Sequence, residues 1–312
     1  MIDVFLINPS YSFTELVTLK KKKKSKGFYL NYPHLGLGYL AASTRQSGYS
    51  VEIIDASANL LTEKEIVAII KKKKPAVVGI TVTTQTSPEV YSLIKKIKKF
   101  KKPPEIVVGG PHISALPESV KWMGVRFGFV GEAEKGFVKL LDFLFKKKGS
   151  LKKIEGLVWI KKRKVLTNPK MLIKGLDSLP FPARDLMEND RYFSPVHSGR
   201  ITSILSSRGC PFNCIYCSRP AIGHQLRFRS PKNIIKEMKE VVGRFGVIYI
   251  EFVDDILTLN KERIVELCRL IKEEKLEVNW GGQTRADLVD FSLLKKMKAA
   301  GCENLSYDYK TG

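Results

Sequence analysis

Three cysteines, Cys210, Cys214 and Cys217, fall within eight positions of a chain whose first 209 residues contain none. Thiolates at i, i+4 and i+7 on a loop opened by Gly209 and Pro211 can converge on one metal centre. Three ligands on a [4Fe–4S] cluster leave one iron open to coordinate a substrate, whereas an electron carrier normally takes four thiolates. Two plainer readings stand beside this one: a zinc ion completed by His224, or three reduced thiols with no metal. Structural zinc usually pairs one C-x-x-C with a second pair, and no other histidine lies near His224 in the sequence. Cys268 and Cys302, distant from the trio, read as small core residues. An odd, clustered set of cysteines argues for metal or redox chemistry in a reducing compartment rather than a disulfide framework. The expected address is the cytoplasm.

The elements that must hold this loop alternate strand and helix. Before residue 150, apolar stretches such as "VFLIN", "VEIIDA", "AVVGITV" and "EIVVGG" alternate with amphipathic ones such as "EKEIVAIIKKKK" and "SPEVYSLIKKIKKF". Val and Ile runs without polar alternation are buried on both faces, as in a parallel sheet covered by helices. The first block, residues 1–150, is therefore expected to be a doubly wound α/β domain with its ligand site at the C-terminal strand ends. Residues 151–198 read as a hairpin, "IEGLVWIKKRKVLTN", and a proline-containing linker. In residues 199–312 the βα rhythm resumes, with "ITSILSS" leading into the cysteine loop and Pro231 placed to open the next helix. Four strands and three helices fit in this second block.

Composition narrows the classes. The chain has 312 residues, 44% of them hydrophobic, and a formal net charge of +23. That is enough for two globular domains with real cores. No apolar run approaches the roughly 20 residues of a membrane span, and "MIDVFLINPS" lacks the layout of a secretion signal. The charge suggests nucleic acid. However, the lysines come as short runs at helix ends and turns with few aromatics between them, which reads as solvated surface rather than a binding groove.

Two cofactor patterns compete in the first block. Gly36, Gly38 and Ala41 spell G-x-G-x-x-A, with Asp55 ending the next strand, superficially the dinucleotide fingerprint. These glycines lie too far beyond the first strand for a tight phosphate-binding turn. The other pattern is the set of small residues at successive strand ends, Thr81, Thr83, Gly109, Gly110 and Gly131, which would leave a crevice for a nucleotide tail. Glycines there also simply make turns.

The C-x-x-x-C-x-x-C spacing after a strand, with Tyr216 before the last cysteine, resembles the signature of radical S-adenosylmethionine (SAM) enzymes. "SSRGCPFNCIYCS" is similar to the form found in the subgroup with an N-terminal cobalamin-binding domain. "LGLGYLAASTRQSGYSVEIIDA", "GITVTT", "VVGGPHISALPE" and "FVGEAE" resemble segments of that domain. The resemblance implies a Rossmann-like parallel sheet followed by a partial (β/α) barrel. It implies that Cys210, Cys214 and Cys217 hold a [4Fe–4S] cluster whose fourth iron binds SAM and whose electron yields a 5′-deoxyadenosyl radical. Tyr216 would lie against the adenine. "IEFVDDILTLNKER" is similar to the second-strand SAM motif, pointing at Glu251 and Asp254. "WGGQTRADLVD" is similar to the third, pointing at Gln283 and Arg285. Thr81, Thr83, Gly109, Gly110 and Gly131 would line the cobalamin site. The axial-histidine motif D-x-H-x-x-G is absent, since Tyr32 precedes His34 and Gly110 precedes His112 at that spacing. The subgroup commonly lacks it too.

The function so implied is cobalamin-dependent radical SAM chemistry, with methyl transfer to an unactivated carbon favoured and rearrangement or ring formation beside it. The substrate would be a small molecule, lipid or tetrapyrrole, and a flavodoxin or ferredoxin would supply electrons. Where relatives continue with Gly-x-Glu-Ser, this chain has "DYKTG", and the expectation is that only the N-terminal part of the barrel is present. Two alternatives are an RNA-modifying radical SAM enzyme, such as a methylthiotransferase, and a truncated, non-catalytic cofactor-binding fragment. The methylthiotransferase family carries three further cysteines in its N-terminal domain, and none occurs before Cys210.

Overall fold

The computed structural model describes residues 2–10, 32–194, 196–215, 217 and 223–307. Its first half is built on β1 (Val4–Asn8), α1 (Leu35–Gln46), β2 (Val51–Asp55), α2 (Glu63–Lys73), β3 (Val77–Thr81) and α3 (Ser87–Ile97). There follow β4 (Glu105–Gly109), the short helices α4 (Pro111–Ala115) and α5 (Ser119–Trp122), β5 (Phe127–Phe129) and α6 (Glu134–Lys146). A hairpin, β6 (Leu157–Lys161) and β7 (Lys164–Thr167), completes the sheet.

The sheet order is β2-β1-β3-β4-β5-β6-β7, parallel through β5 and antiparallel from there on. The two-sided burial expected from the apolar runs is present. Along β1, Phe5 and Ile7 join the core beneath α2 and α3, while Val4 and Leu6 join the one beneath α1 and α6. The hairpin expected in residues 154–168 is present, and it belongs to the first sheet. It adds two strands to the edge of the first sheet, because Trp159 and Val158 pair directly with Phe127 and Gly128. Local sequence marks a hairpin but not the strand it docks on.

The second half holds β8 (Arg200–Ile204), a two-residue ribbon of β9 (Ser207–Arg208) and β10 (Arg227–Phe228), α7 (Pro231–Phe245), β11 (Val247–Phe252) and α8 (Lys261–Glu273). It ends with β12 (Asn279–Thr284), α9 (Phe291–Ala299) and β13 (Cys302–Tyr307). The four long strands form a parallel sheet ordered β13-β12-β11-β8, matching the expected count of strands and helices. Pro231 opens α7 as its position implied, with the Ser230 hydroxyl capping Asn233 N–H and Gly246 closing the helix at φ 63°. Ile250, Phe252 and Trp280 face the helices. Tyr249, on the opposite face of β11, packs with Ile201, Tyr192, Met187 and Ala58 where the two halves meet.

A strand-end cleft beside the cysteine loop

The cysteine loop is pinched at its base. Arg208 and Ser207 pair antiparallel with Arg227 and Phe228, so residues 209–226 leave and return through one ribbon. Gly209 has φ 91°, and a Cβ there would meet the Gln225 carbonyl oxygen at 2.3 Å, so the ribbon closes only around a glycine. Within the loop, the amide of Cys210 donates to the Gly223 carbonyl at 3.3 Å, and that of Cys217 to the Cys214 carbonyl at 3.0 Å. Cys210 is buried, Cys214 half-buried and Cys217 exposed, and none is in a disulfide. Among the described residues no three His, Cys, Asp or Glu side chains are gathered as a preformed metal cage. The donor set is nonetheless that of a cluster, with three thiols graded from a buried anchor to an exposed rim. His224 lies exposed on the returning limb. Tyr216 lies outside the described residues.

Arg285 faces this loop. Its guanidinium stands 4.1 Å from the centre of the Phe212 ring. Hydrogen bonding to Asp287 raises its pKa, and Cys214 and Cys210 add to the rise, which places its charge near both sulfurs. Gln283, two residues earlier on β12, is exposed between the buried Gly282 and Thr284.

The other two SAM candidates are placed differently. Asp254 is 1% exposed. It accepts the Ser206 amide at 2.6 Å, the Ser207 hydroxyl at 2.7 Å and the Ser206 hydroxyl, with the Arg263 guanidinium 3.9 Å away. Burial raises its pKa against the pull of Arg263 and the serines. Its carboxylate thus ties the end of β11 to the end of β8 and is not available to a ligand. Glu251 is half-buried and accepts the Tyr249 hydroxyl at 2.8 Å, and burial raises its carboxyl above the usual range. The Tyr249 ring stacks on His197 with centroids 3.8 Å apart.

A cleft of about 300 Å³ opens at the C-terminal ends of β3, β4 and β5. Thr81, Gly109, Gly110 and Gly131 all line it, as the strand-end pattern implied. Gly110 has φ 96°, and a Cβ there would sit 2.8 Å from the Thr81 hydroxyl and 2.9 Å from the Val82 carbonyl. Any side chain would therefore fill the crevice and strain the backbone. Thr83 is not part of the lining. Its amide and hydroxyl pair with the Thr86 hydroxyl at 3.0 and 3.1 Å in the turn leading to α3.

The dinucleotide pattern fails on two counts. Gly36, Gly38 and Ala41 lie inside α1 rather than in a turn before it. Asp55 is consumed by its neighbours, accepting from Asn8, Ala58 and Tyr192 at 2.9, 3.1 and 3.0 Å.

Sequence reasoning missed the far wall of the cleft. Leu205 and Val253, just past the ends of β8 and β11, and Arg208 on β9 line it from the second half. Arg208 is the hinge of a buried charge cluster. It donates to Glu134 at 2.7 Å and stands 3.5 Å from Glu132, while Arg227 lies 2.6 Å from Glu132. The Ile173 amide donates to Glu132 at 2.8 Å, and Arg227 donates back to the Ile173 carbonyl at 2.9 Å. The loop before α6, the linker and the cysteine-loop ribbon are thereby clasped together. The signal was present in "GEAE" and "SSRGC", but nothing local says that these segments meet. His34, the remaining polar group of note in the lining, is held below the ordinary histidine range by burial. Its Nδ1 caps α1 by accepting from the Leu37 amide at 3.2 Å. The ring nitrogens of His112 are both engaged, by Thr84 and Ser119 hydroxyls at 3.1 Å each.

Comparison with known proteins agrees with this layout. Residues 27–141 match the B12 binding domain family and residues 204–312 match the radical SAM superfamily. The chain thus joins a match to the B12 binding domain in its first half to a match to the radical SAM superfamily in its second. An uncharacterized methyltransferase of Pyrococcus horikoshii is 36% identical over 279 residues, covering 88% of this chain and 60% of the relative. The anaerobic magnesium-protoporphyrin IX monomethyl ester cyclase of Rubrivivax gelatinosus is 27% identical over 290 residues, covering 88% and 51%. The chain thus spans about half to three fifths of the length of these curated relatives. Among solved structures, the radical SAM methyltransferase TsrM of Kitasatospora setae, with cobalamin and [4Fe–4S] cluster bound, superposes with a TM-score of 0.76 at 18% identity, over 98% of this chain and 58% of that one. The cobalamin-dependent radical enzyme OxsB, with aqua-cobalamin and SAM bound, gives 0.80 at 18% identity, over 98% and 43%. These two show the shared fold.

Proposed function

We propose that the chain is the cofactor-binding part of a cobalamin-dependent radical SAM enzyme that transfers a methyl group to an unactivated carbon of an apolar small molecule, of the lipid or tetrapyrrole kind. The observation that carries this reading is the shared wall. Arg208 lines the strand-end cleft and sits two residues before Cys210, so a ligand in the cleft and a cluster on the loop would be neighbours.

The residues divide the work by chemistry. Cys210, Cys214 and Cys217 are the thiolate donors for a [4Fe–4S] cluster, and Arg285 offsets the negative charge they accumulate. Gln283 and Arg285 stand on the same strand end to meet the polar part of SAM, while Asp254 fixes that end of the sheet without touching it. Thr81, Gly109, Gly110 and Gly131 keep the cleft open for the nucleotide tail of cobalamin. When bound, the cluster supplies one electron for cleavage of SAM and the corrinoid supplies a methyl carrier. The largely apolar lining of the cleft would limit the water around a ligand held there. A flavodoxin- or ferredoxin-type protein would deliver the electron.

The test is anaerobic reconstitution with iron and sulfide, then a low-potential reductant and SAM. The reading expects a brown protein with about four irons per chain that releases 5′-deoxyadenosine, and loss of both in Cys210→Ala, Cys214→Ala and Cys217→Ala. Zinc in place of iron, or retention of iron by all three variants, would overturn it.

A further inference from the structure

The end of the first sheet opposite the cleft collects positive charge. The helices α2 and α3 both finish there, in Lys71–Lys74 and in Lys98, Lys99, Lys101 and Lys102, all exposed. Arg126 precedes β5 at the same end. Because β6 runs antiparallel to β5, its hairpin turn comes back to this end too. Lys161 pairs with Lys164 there, and the Ile160 amide donates to the Arg126 carbonyl at 3.2 Å. The four residues of the turn, Lys161–Lys164, are therefore continuous with the lysines below β4. Two lysine runs that are separate along the sequence, 71–74 and 98–102, are gathered in space by topology.

Two acids at this end offset two of these cations and leave the others in excess. Glu105 is paired with Arg126 at 3.0 Å and Glu52 with Lys73 at 3.1 Å. An aromatic stands among the cations. Trp122, at the end of α5, is 64% exposed, and the Lys98 ammonium reaches the Gly124 carbonyl two residues beyond it at 2.7 Å. The chain's other two tryptophans, Trp159 and Trp280, are buried.

We infer that this face docks on an anionic lipid surface, its lysines over the headgroups and Trp122 at the boundary with the acyl region. Diffuse, compact ammonium charges suit a headgroup layer, where juxtamembrane lysine clusters are attracted within a Debye length. An exposed indole beside them supplies the second, apolar signal that stable interfacial binding needs. The composition fits nucleic acid poorly, since the face offers few guanidinium forks and no row of aromatics on which bases could stack. Docked in this way, the chain holds its cleft pointed away from the membrane. The inference does not depend on the cofactor reading, because the face lies at the other end of the sheet.

The experiment mixes the full chain with vesicles of phosphatidylcholine alone or with phosphatidylglycerol, and follows co-sedimentation and tryptophan emission. The expected result is sedimentation and a blue shift only with phosphatidylglycerol, falling by about tenfold or more as salt rises from roughly 0.1 to 0.5 M. Substituting glutamine for Lys98, Lys99, Lys101 and Lys102 should abolish binding, whereas Lys232→Gln with Lys236→Gln on α7 should leave it unchanged. Trp122→Phe should remove the blue shift, since the remaining indoles are buried. Equal binding to both vesicle types, no binding, unchanged binding by the four-lysine variant, or displacement from vesicles by structured RNA with tighter RNA binding would overturn the inference.

Discussion

The five cysteines fall into two chemical groups. Burial pushes the Cys268 thiol up to about 11 and the Cys302 thiol up to about 12, so at pH 8 about one Cys268 in a thousand is thiolate and fewer of Cys302. Cys214 and Cys217 are open to reagents, and Arg285 lies beside the trio. Alkylation of metal-free protein with iodoacetamide at about pH 8, read by peptide mass spectrometry, should therefore label Cys214 and Cys217 within minutes and leave Cys268 and Cys302 intact until the chain is denatured. Loading the cluster should protect the loop as well. Rapid labelling of Cys302 in folded protein would contradict its placement against Trp280 on the helix-facing side of the sheet.

Between elements, the clasp of Glu132 and Glu134 with Arg208 and Arg227 is the junction most exposed to a single change. These side chains are nearly fully buried, and removing one member of a buried pair leaves the others uncompensated, which costs about 3–5 kcal/mol. Arg208→Ala should lower the unfolding free energy by about that amount, seen as a fall in the thermal midpoint in anaerobic calorimetry, with a smaller loss for Glu134→Gln, which keeps one hydrogen bond. How much of this was legible differs by element. The two-face burial of β1 and β3, the opening of α7 at Pro231 and the convergence of Thr81, Gly109, Gly110 and Gly131 follow from local pattern, because period and strand order fix them. The hairpin's docking on β5, the pairing of Arg208 with Glu134 and the withdrawal of Asp254 behind Ser206 do not. Each depends on segments tens of residues apart, and a carboxylate in a motif reads the same whether it faces a ligand or a serine amide. Thr83 shows the same limit: its small side chain at a strand end placed it at the crevice, but a neighbouring hydroxyl claimed it.

At the scale of the whole molecule, one wall serves two candidate sites, so binding at one should be felt by both halves. A ligand that binds only the folded state stabilises it by about 2.7 kcal/mol when present at about one hundred times its dissociation constant. Cobalamin should accordingly raise the thermal midpoint of the intact chain, and the Trp280 signal of the second half should move together with that of the first. A shift confined to the first half would mean that the wall does not couple them. Among the described residues no helix is long and apolar enough to cross a membrane.

The clasp also bears on how such proteins can be recombined. A graft that joins this second half to another B12-binding domain must import the acidic pair along with it, because Arg208 and Arg227 would otherwise be interred without counterions beside the cysteine loop. The two modules are therefore not freely interchangeable parts. Their compatibility is written in four side chains, and chimeras that respect that code should assemble where those that ignore it aggregate.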